Sequence, residues 1–220
     1  MVVGAGLQRR YGSAQGAAAY RHKYERSWLR RWSARREASL LRWALARAAT
    51  SGEVLDVPCG AGRMAPVLLE RAARVTGVDR SDAMVEQARD ACADAVAAGR
   101  LALATGSADA LPFPDGAFHT AVCWRLLHHV VDRDDRRRVL ASLARVATGA
   151  VVATFCDATT WKARGERLRR RDRRCVTLAP AAFADEARAA GLVVEATRRL
   201  SSCFSLLAVA VCRRAGPAAG

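Results

Sequence analysis

Lysine is almost absent from this chain. Only Lys23 and Lys162 occur among 36 Lys and Arg residues, so arginine carries nearly all of the positive charge. No apolar run approaches the roughly 20 residues of a membrane span, and residues 1–10 lack the apolar core of a signal peptide. The seven cysteines, Cys59, Cys92, Cys123, Cys156, Cys175, Cys203 and Cys212, form no C-x-x-C pair. Their odd count and apolar neighbours favour reduced, buried thiols over a disulfide frame or a zinc site. No cluster of metal ligands stands out, so no metal is expected. These absences predict a cytoplasmic protein. The formal charge of +15 ordinarily directs attention to nucleic acid or an anionic surface. Abundant alanine and the choice of arginine over lysine fit a simpler account, a GC-rich coding sequence filling solvent faces.

What is present fits one domain: 220 residues, 51% of them hydrophobic, suffice for a proper core. Residues 1–16 are glycine-rich. From 17 to 49 the pattern predicts helix, with Tyr20, Tyr24 and Trp28 at i, i+4 spacing and Leu40, Leu41 and Leu45 continuing an apolar stripe. Residues 1–50 are therefore expected to form a helical extension that packs on the rest or serves as a lid. Beyond it, strands are predicted near 53–58, 74–79, 101–105, 118–124 and 149–156. Helices are predicted near 63–73, 82–98 and 133–147. This alternation predicts a mostly parallel α/β sheet with helices on both faces. Pro180 and Gly191 bracket a further helix, and 192–197 and 203–213 read as two last strands. The segment 157–178 interrupts the order with Arg164, Arg167, Arg169, Arg170, Arg171, Arg173 and Arg174, an arginine-rich insertion near the expected crevice.

The chemistry-bearing motif is Val54-Leu55-Asp56-Val57-Pro58-Cys59-Gly60-Ala61-Gly62-Arg63, an apolar strand running into a glycine-rich turn and then a helix. Gly60 and Gly62 let the backbone turn tightly and approach a ligand. Arg74-Val75-Thr76-Gly77-Val78-Asp79 is a second strand ending in an acid, and Ser107-Ala108-Asp109-Ala110-Leu111-Pro112-Phe113 completes the set. In this order the three segments resemble a class I S-adenosylmethionine-dependent methyltransferase of the broad small-molecule type. Leu126-Leu127-His128-His129-Val130 adds a habitual middle motif of that group.

The resemblance implies a Rossmann-like open sheet over residues 51–214, mostly parallel with a C-terminal antiparallel strand pair, and S-adenosyl-L-methionine as cofactor. It implies Asp56 for the cofactor's ammonium, Asp79 for its ribose hydroxyls, and Asp109, between Ala108 and Ala110, for the adenine amino group. Met84 or Leu111 would pack on the adenine ring. Pro58, Gly60, Gly62, Arg80 and Arg125 complete the implied cofactor set. His129, His128 and Arg125 follow the fourth strand and are the candidate catalytic residues, as base or as anchor for an anionic acceptor.

Two departures from the family pattern stand out. His119 replaces the usual aspartate after Phe118, and the turn before the fifth strand is shortened to Ala147-Thr148-Gly149-Ala150. The expected partner is a small-molecule or lipid-linked acceptor, anionic in one version, with peripheral contact to an anionic membrane compatible with the charge. The alternatives are RNA as acceptor, gripped by the arginines, a non-catalytic cofactor-binding protein, and a nicotinamide oxidoreductase. The last would use Gly60-x-Gly62-x-x-Ala65 but lacks a Tyr-x-x-x-Lys pair. Oligomeric state is not legible.

Overall fold

The computed structural model describes residues 28–168, 175–201 and 205–215; Tyr20, Tyr24, Cys203 and the arginines at 169–174 lie outside them. In chain order the elements are α1 (Trp28–Arg47), β1 (Glu53–Asp56), α2 (Ala65–Leu69), β2 (Arg74–Asp79), α3 (Asp82–Ala91), α4 (Ala93–Ala97), β3 (Leu101–Thr105) and β4 (Phe118–Cys123). A 3-10 turn (Leu127–His129) leads to α5 (Arg133–Val146), β5 (Ala147–Asp157), α6 (Trp161–Leu168), β6 (Thr177–Leu178), α7 (Pro180–Ala189), β7 (Leu192–Arg199) and β8 (Leu207–Arg214).

The strands lie in the order β3-β2-β1-β4-β5-β8-β7, with β6 beside the end of β5. Pairing is parallel from β3 to β5 and antiparallel at β5–β8 and β8–β7. This is the mostly parallel sheet with a C-terminal antiparallel pair that the alternation and the resemblance led us to expect. Its central strands are buried on both faces, so they read as nearly continuous apolar runs. On β5, Val151, Ala153 and Phe155 enter the core under α5 and α7, where Phe155 stacks on Phe183 at 4.4 Å. Ala150 and Val152 point the other way, into the core that Leu40, Leu41 and Leu45 of α1 share with α2. Each such large side chain contributes about 1.5–3 kcal/mol by leaving water.

Two helices differ from expectation for visible reasons. Helix 63–73 is cut to Ala65–Leu69 because the Arg100 guanidinium takes the carbonyls of Leu69 and Ala72 at 2.8 and 2.9 Å. Helix 82–98 breaks at Cys92, whose thiol donates to the Gly62 carbonyl at 3.7 Å. The 157–178 segment is less of an interruption than expected, since α6 and β6 both form within it.

The two departures from the family pattern meet in space. A Cβ on Gly149 would lie 2.7 Å from the His119 carbonyl oxygen and 2.9 and 3.0 Å from its ring. The imidazole fills the space left by the shortened turn, and only glycine lets β5 come so close. Gly149→Ala therefore costs about 1–3 kcal/mol by overpacking, read as a lower thermal midpoint; an unchanged midpoint contradicts the contact.

Candidate functional site

Parallel pairing sends the C-terminal ends of β1, β2, β3 and β4 to one edge of the sheet, and the order reverses between β1 and β4. Ligands of open α/β sheets bind in the crevice at such a switch point. Asp56 is matched with Gly77 on β2 and Val122 on β4. Asp79 on one side and Trp124 and Arg125 on the other thus lie just beyond it, at the crevice edge.

Asp79 ties the walls together. Its Oδ2 accepts the Gly60 N–H at 2.9 Å and its Oδ1 accepts the Ser81 N–H at 3.0 Å. An ionised carboxylate has about four lone-pair sites, so acceptor capacity remains for a ligand hydroxyl. Burial raises its pKa, while the N–H groups of Ser81, Gly60 and Arg80 pull against that. Ser81 caps α3 through the Met84 N–H, which leaves Asp79 without a capping duty.

Asp56 is the reverse case. It is only 1% exposed, and neither carboxylate oxygen has a hydrogen-bond partner. Burial, and then the nearby Asp79 charge, push its pKa up to about 8, with Arg63 opposing. Buried polar groups without partners are rare and costly. A carboxylate left this way at a crevice suits a cationic ligand group.

The two glycines of the turn have different duties. Both have positive φ, but a Cβ on Gly60 would meet nothing within 4 Å, whereas one on Gly62 would strike the Cys92 sulfur at 2.9 Å. Gly60 borders open space at the turn, and Gly62 is needed for packing on α3. Pro58 is half-buried behind them and Arg80 is exposed. Met84 is buried against Ala61 beside the turn, while Leu111 is committed to the core under α5, so Met84 is the better-placed apolar wall. After β3, Ala108 is buried, Ala110 exposed, and the half-buried Asp109 accepts the Ser107 hydroxyl.

On the β4 side, His128 and His129 stack at 4.1 Å between ring centroids. His128 is 6% exposed with Nδ1 unpartnered, and burial, then His129 and Arg125, hold its pKa down at about 3. His129 is half-buried and its pKa is lowered by burial and Arg125. The loop carrying them is fixed from below: buried Arg136 binds the carbonyls of Val130 and Val131 at 2.9 and 2.8 Å and pairs with buried Glu186 at 2.6 Å. Cys123 is fully buried and its thiol pKa is raised by burial, a core residue and not a nucleophile.

Arg125 is not the solitary anchor that its position in the sequence suggested. Its Nε and Nη2 bind Glu37 at 2.9 and 2.6 Å, and its N–H donates to the Thr154 hydroxyl at 2.7 Å. Its φ is +62°, a left-handed conformation that costs a non-glycine residue roughly 1–2 kcal/mol. Glu37 itself went unnoticed in the sequence. It starts the α1 stripe continued by Leu40, Leu41, Ala44, Leu45 and Ala48, and a charge at the head of an apolar stripe is the signal that marks it.

Among the described residues, no group of three or more His, Cys, Asp or Glu is placed to hold a metal, and no helix is long and apolar enough to cross a membrane. Of the arginines in the 157–178 segment, Arg164 lies 5.6 Å over the ring of Trp161.

Known proteins resemble the chain in both sequence and fold. A family described as methyltransferase domain matches residues 54–149. The ubiquinone/menaquinone biosynthesis C-methyltransferase UbiE of Geobacter sulfurreducens is 30% identical over 129 residues, 57% of this chain and 48% of that protein. The O-methyltransferase resE of Aspergillus sclerotiorum is 35% identical over 94 residues, 42% of this chain and 34% of that protein. The chain thus spans about half, or less, of the length of these curated relatives. Magnesium protoporphyrin IX methyltransferase (ChlM) from Synechocystis PCC 6803, solved with bound SAH, superposes with a TM-score of 0.78 at 19% identity, covering 94% of this chain and 98% of that one. The [4+2]-cyclase SpnF does so at 0.66 and 19%, covering 80% of this chain and 81% of that one. Residues 54–149 thus match a methyltransferase domain, and the sheet order and superpositions give the chain the Rossmann-like fold of the methyltransferases it resembles.

Proposed function

We propose that the chain transfers a methyl group from S-adenosylmethionine to a small-molecule acceptor bound at the ends of β4 and β5. One observation carries this reading: the buried, unpartnered Asp56 carboxylate stands beside Asp79, which keeps spare acceptor capacity while clamping the Gly60 turn. S-adenosylmethionine supplies, when bound, a methyl group on a sulfonium that leaves readily by in-line displacement. Positioning and desolvation therefore carry most of the catalysis. Asp56 holds the ammonium, Asp79 accepts the ribose hydroxyls, and Gly60 admits close approach of the backbone. Met84 and Ala108 wall the adenine, with Asp109 accepting from its amino group. Residues 51–214 act as the methyltransferase domain, with α1 closing one side.

On the acceptor side, His129 is the better base. Its lowered pKa keeps a ring nitrogen unprotonated near neutral pH, so it can take a proton from an acceptor that must lose one. His128, with a pKa of about 3, is too weak for that duty. Arg125 pairs with Glu37, yet its side chain stays part-exposed, and that exposed part favours an acidic acceptor. Val131, 79% exposed, and Trp161, 67% exposed, follow β4 and β5, and exposed apolar side chains after these strands suit a lipid-linked one.

Calorimetric titration with S-adenosylhomocysteine tests the reading. The folded wild-type chain binds it, and Asp79→Ala binds at least roughly 100-fold more weakly, having lost two charge-assisted hydrogen bonds of about 1.5–3 kcal/mol each. No binding by folded wild type overturns the methyltransferase proposal. Titration against pH tests Asp56, which is faced by Asp79, by Arg63 and by the thiols of Cys59, Cys92 and Cys123. Between its ordinary carboxylate range and pH 8 the ligand-free group holds a proton, which an incoming ammonium must displace. Affinity therefore rises from pH 6 to 8, by up to about ten-fold per unit, with up to one proton released. Asp56→Asn flattens that slope; a wild-type slope of zero removes Asp56 from the site.

A further inference from the structure

Glu37 lies on α1, outside the stretch of residues that carries the cofactor motifs, yet it touches both walls of the crevice. Its side chain is fully buried. Oε1 accepts from Arg125 Nη2 at 2.6 Å. Oε2 accepts from Arg125 Nε at 2.9 Å, from Arg63 Nη2 at 3.0 Å and, more weakly, from Trp124 Nε1 at 3.4 Å. Arg63 directly follows Gly62 in the glycine turn after β1. Arg125 and Trp124 directly follow β4. A single carboxylate from α1 therefore bridges the two strands between which the sheet order reverses.

Two further observations tie this bridge to the ligand site and not only to packing. Arg125 holds a left-handed backbone that glycine would adopt without strain, so its side chain is what the position requires, and that side chain is engaged by Glu37. Arg63 is also the cation that acts on Asp56. Its guanidinium thus stands within electrostatic reach of two buried carboxylates, and it makes a direct ion pair with Glu37 at 3.0 Å. Asp56, by contrast, has no hydrogen-bond partner.

We propose that Glu37 is a positioning residue of the methyl-donor site: by holding Arg63 and Arg125 it keeps the Arg63 guanidinium off Asp56 and couples the seating of α1 to cofactor binding. The inference rests on the methyltransferase reading above. In the absence of Glu37, Arg63 pairs with Asp56, ionises it, and takes the place of the ligand's ammonium.

The test is calorimetry of the full chain with S-adenosylhomocysteine from pH 6 to 8, for wild type and Glu37→Gln, with circular dichroism to confirm folding. Glu37→Gln is expected to bind at least ten-fold more weakly at pH 7.5 and to lose the proton release that wild type shows. A merely structural Glu37 would lower the unfolding midpoint and leave both the affinity of the folded protein and its proton release unchanged, and that result overturns the inference alone. Wild type that fails to bind overturns the methyltransferase reading and this inference together. Should Glu37→Gln not fold, hydrogen exchange on the wild type decides: S-adenosylhomocysteine is expected to slow exchange of the α1 amides around Glu37, and unchanged exchange there overturns the coupling.

Discussion

The register of β1 between β2 and β4 is the constraint on which the site depends. Asp56 pairs with Gly77 on one side and Val122 on the other. Because all three strands run the same way, whatever follows them in sequence emerges at one edge. A slip of one residue would turn every side chain of β1 to the opposite face, carrying Asp56 away from its place and Val54 and Leu55 out of their cores. The register is therefore fixed by burial on both faces. Val54 lies in the core shared with α1 and Leu55 in the one under α5. The apolar content of the strand and the placement of the acid at its end are one requirement.

Two buried carboxylates at the crevice are held in opposite ways. Glu37 has several donors, and although burial pushes its pKa up, the hydrogen bonds and charges of Arg125 and Arg63 outweigh that and keep it ionised. Removing one side of such a cluster would leave an uncompensated charge, typically at a cost of about 3–5 kcal/mol. Asp56 has no donor at all, and its proton affinity rises instead. The same chemical group is locked in one place and held ready in the other. What separates them is the placement of Arg63, which is committed to Glu37 while still acting on Asp56.

The placement of Asp56, the glycine turn and Asp79 at one edge was legible in the sequence because these parts are local. A strand, a glycine turn and an acid at the end of the next strand stand at short spacings, and parallel pairing assembles them with no further information. The periodicity likewise gave the strands and the sheet class. Helix lengths were less legible, since a side chain from elsewhere ended one of them: Arg100 caps the carbonyls at the end of α2 from 28 to 31 residues away. The different duties of Gly60 and Gly62 were equally hidden, as only the position of Cys92 tells the packing glycine from the one bordering open space.

The β4 side of the crevice depends on tertiary ties that no spacing reveals. His128 and His129 are adjacent in sequence and similar in chemistry, yet the loop turns one ring into the core and leaves the other half-buried. That outcome rests on Arg136 and Glu186, 50 residues apart, pairing beneath the loop, and on the Val176 N–H donating to the His128 carbonyl at 2.8 Å. Arg125 is a similar case, since its partner sits 88 residues earlier on α1. A fold shared by methyltransferases and a cyclase places its common parts on rigid strand ends and its distinguishing parts on loops. On the function proposed above, the acceptor is selected by how the loops after β4 and β5 are pinned, and the residues that pin them lie outside every motif.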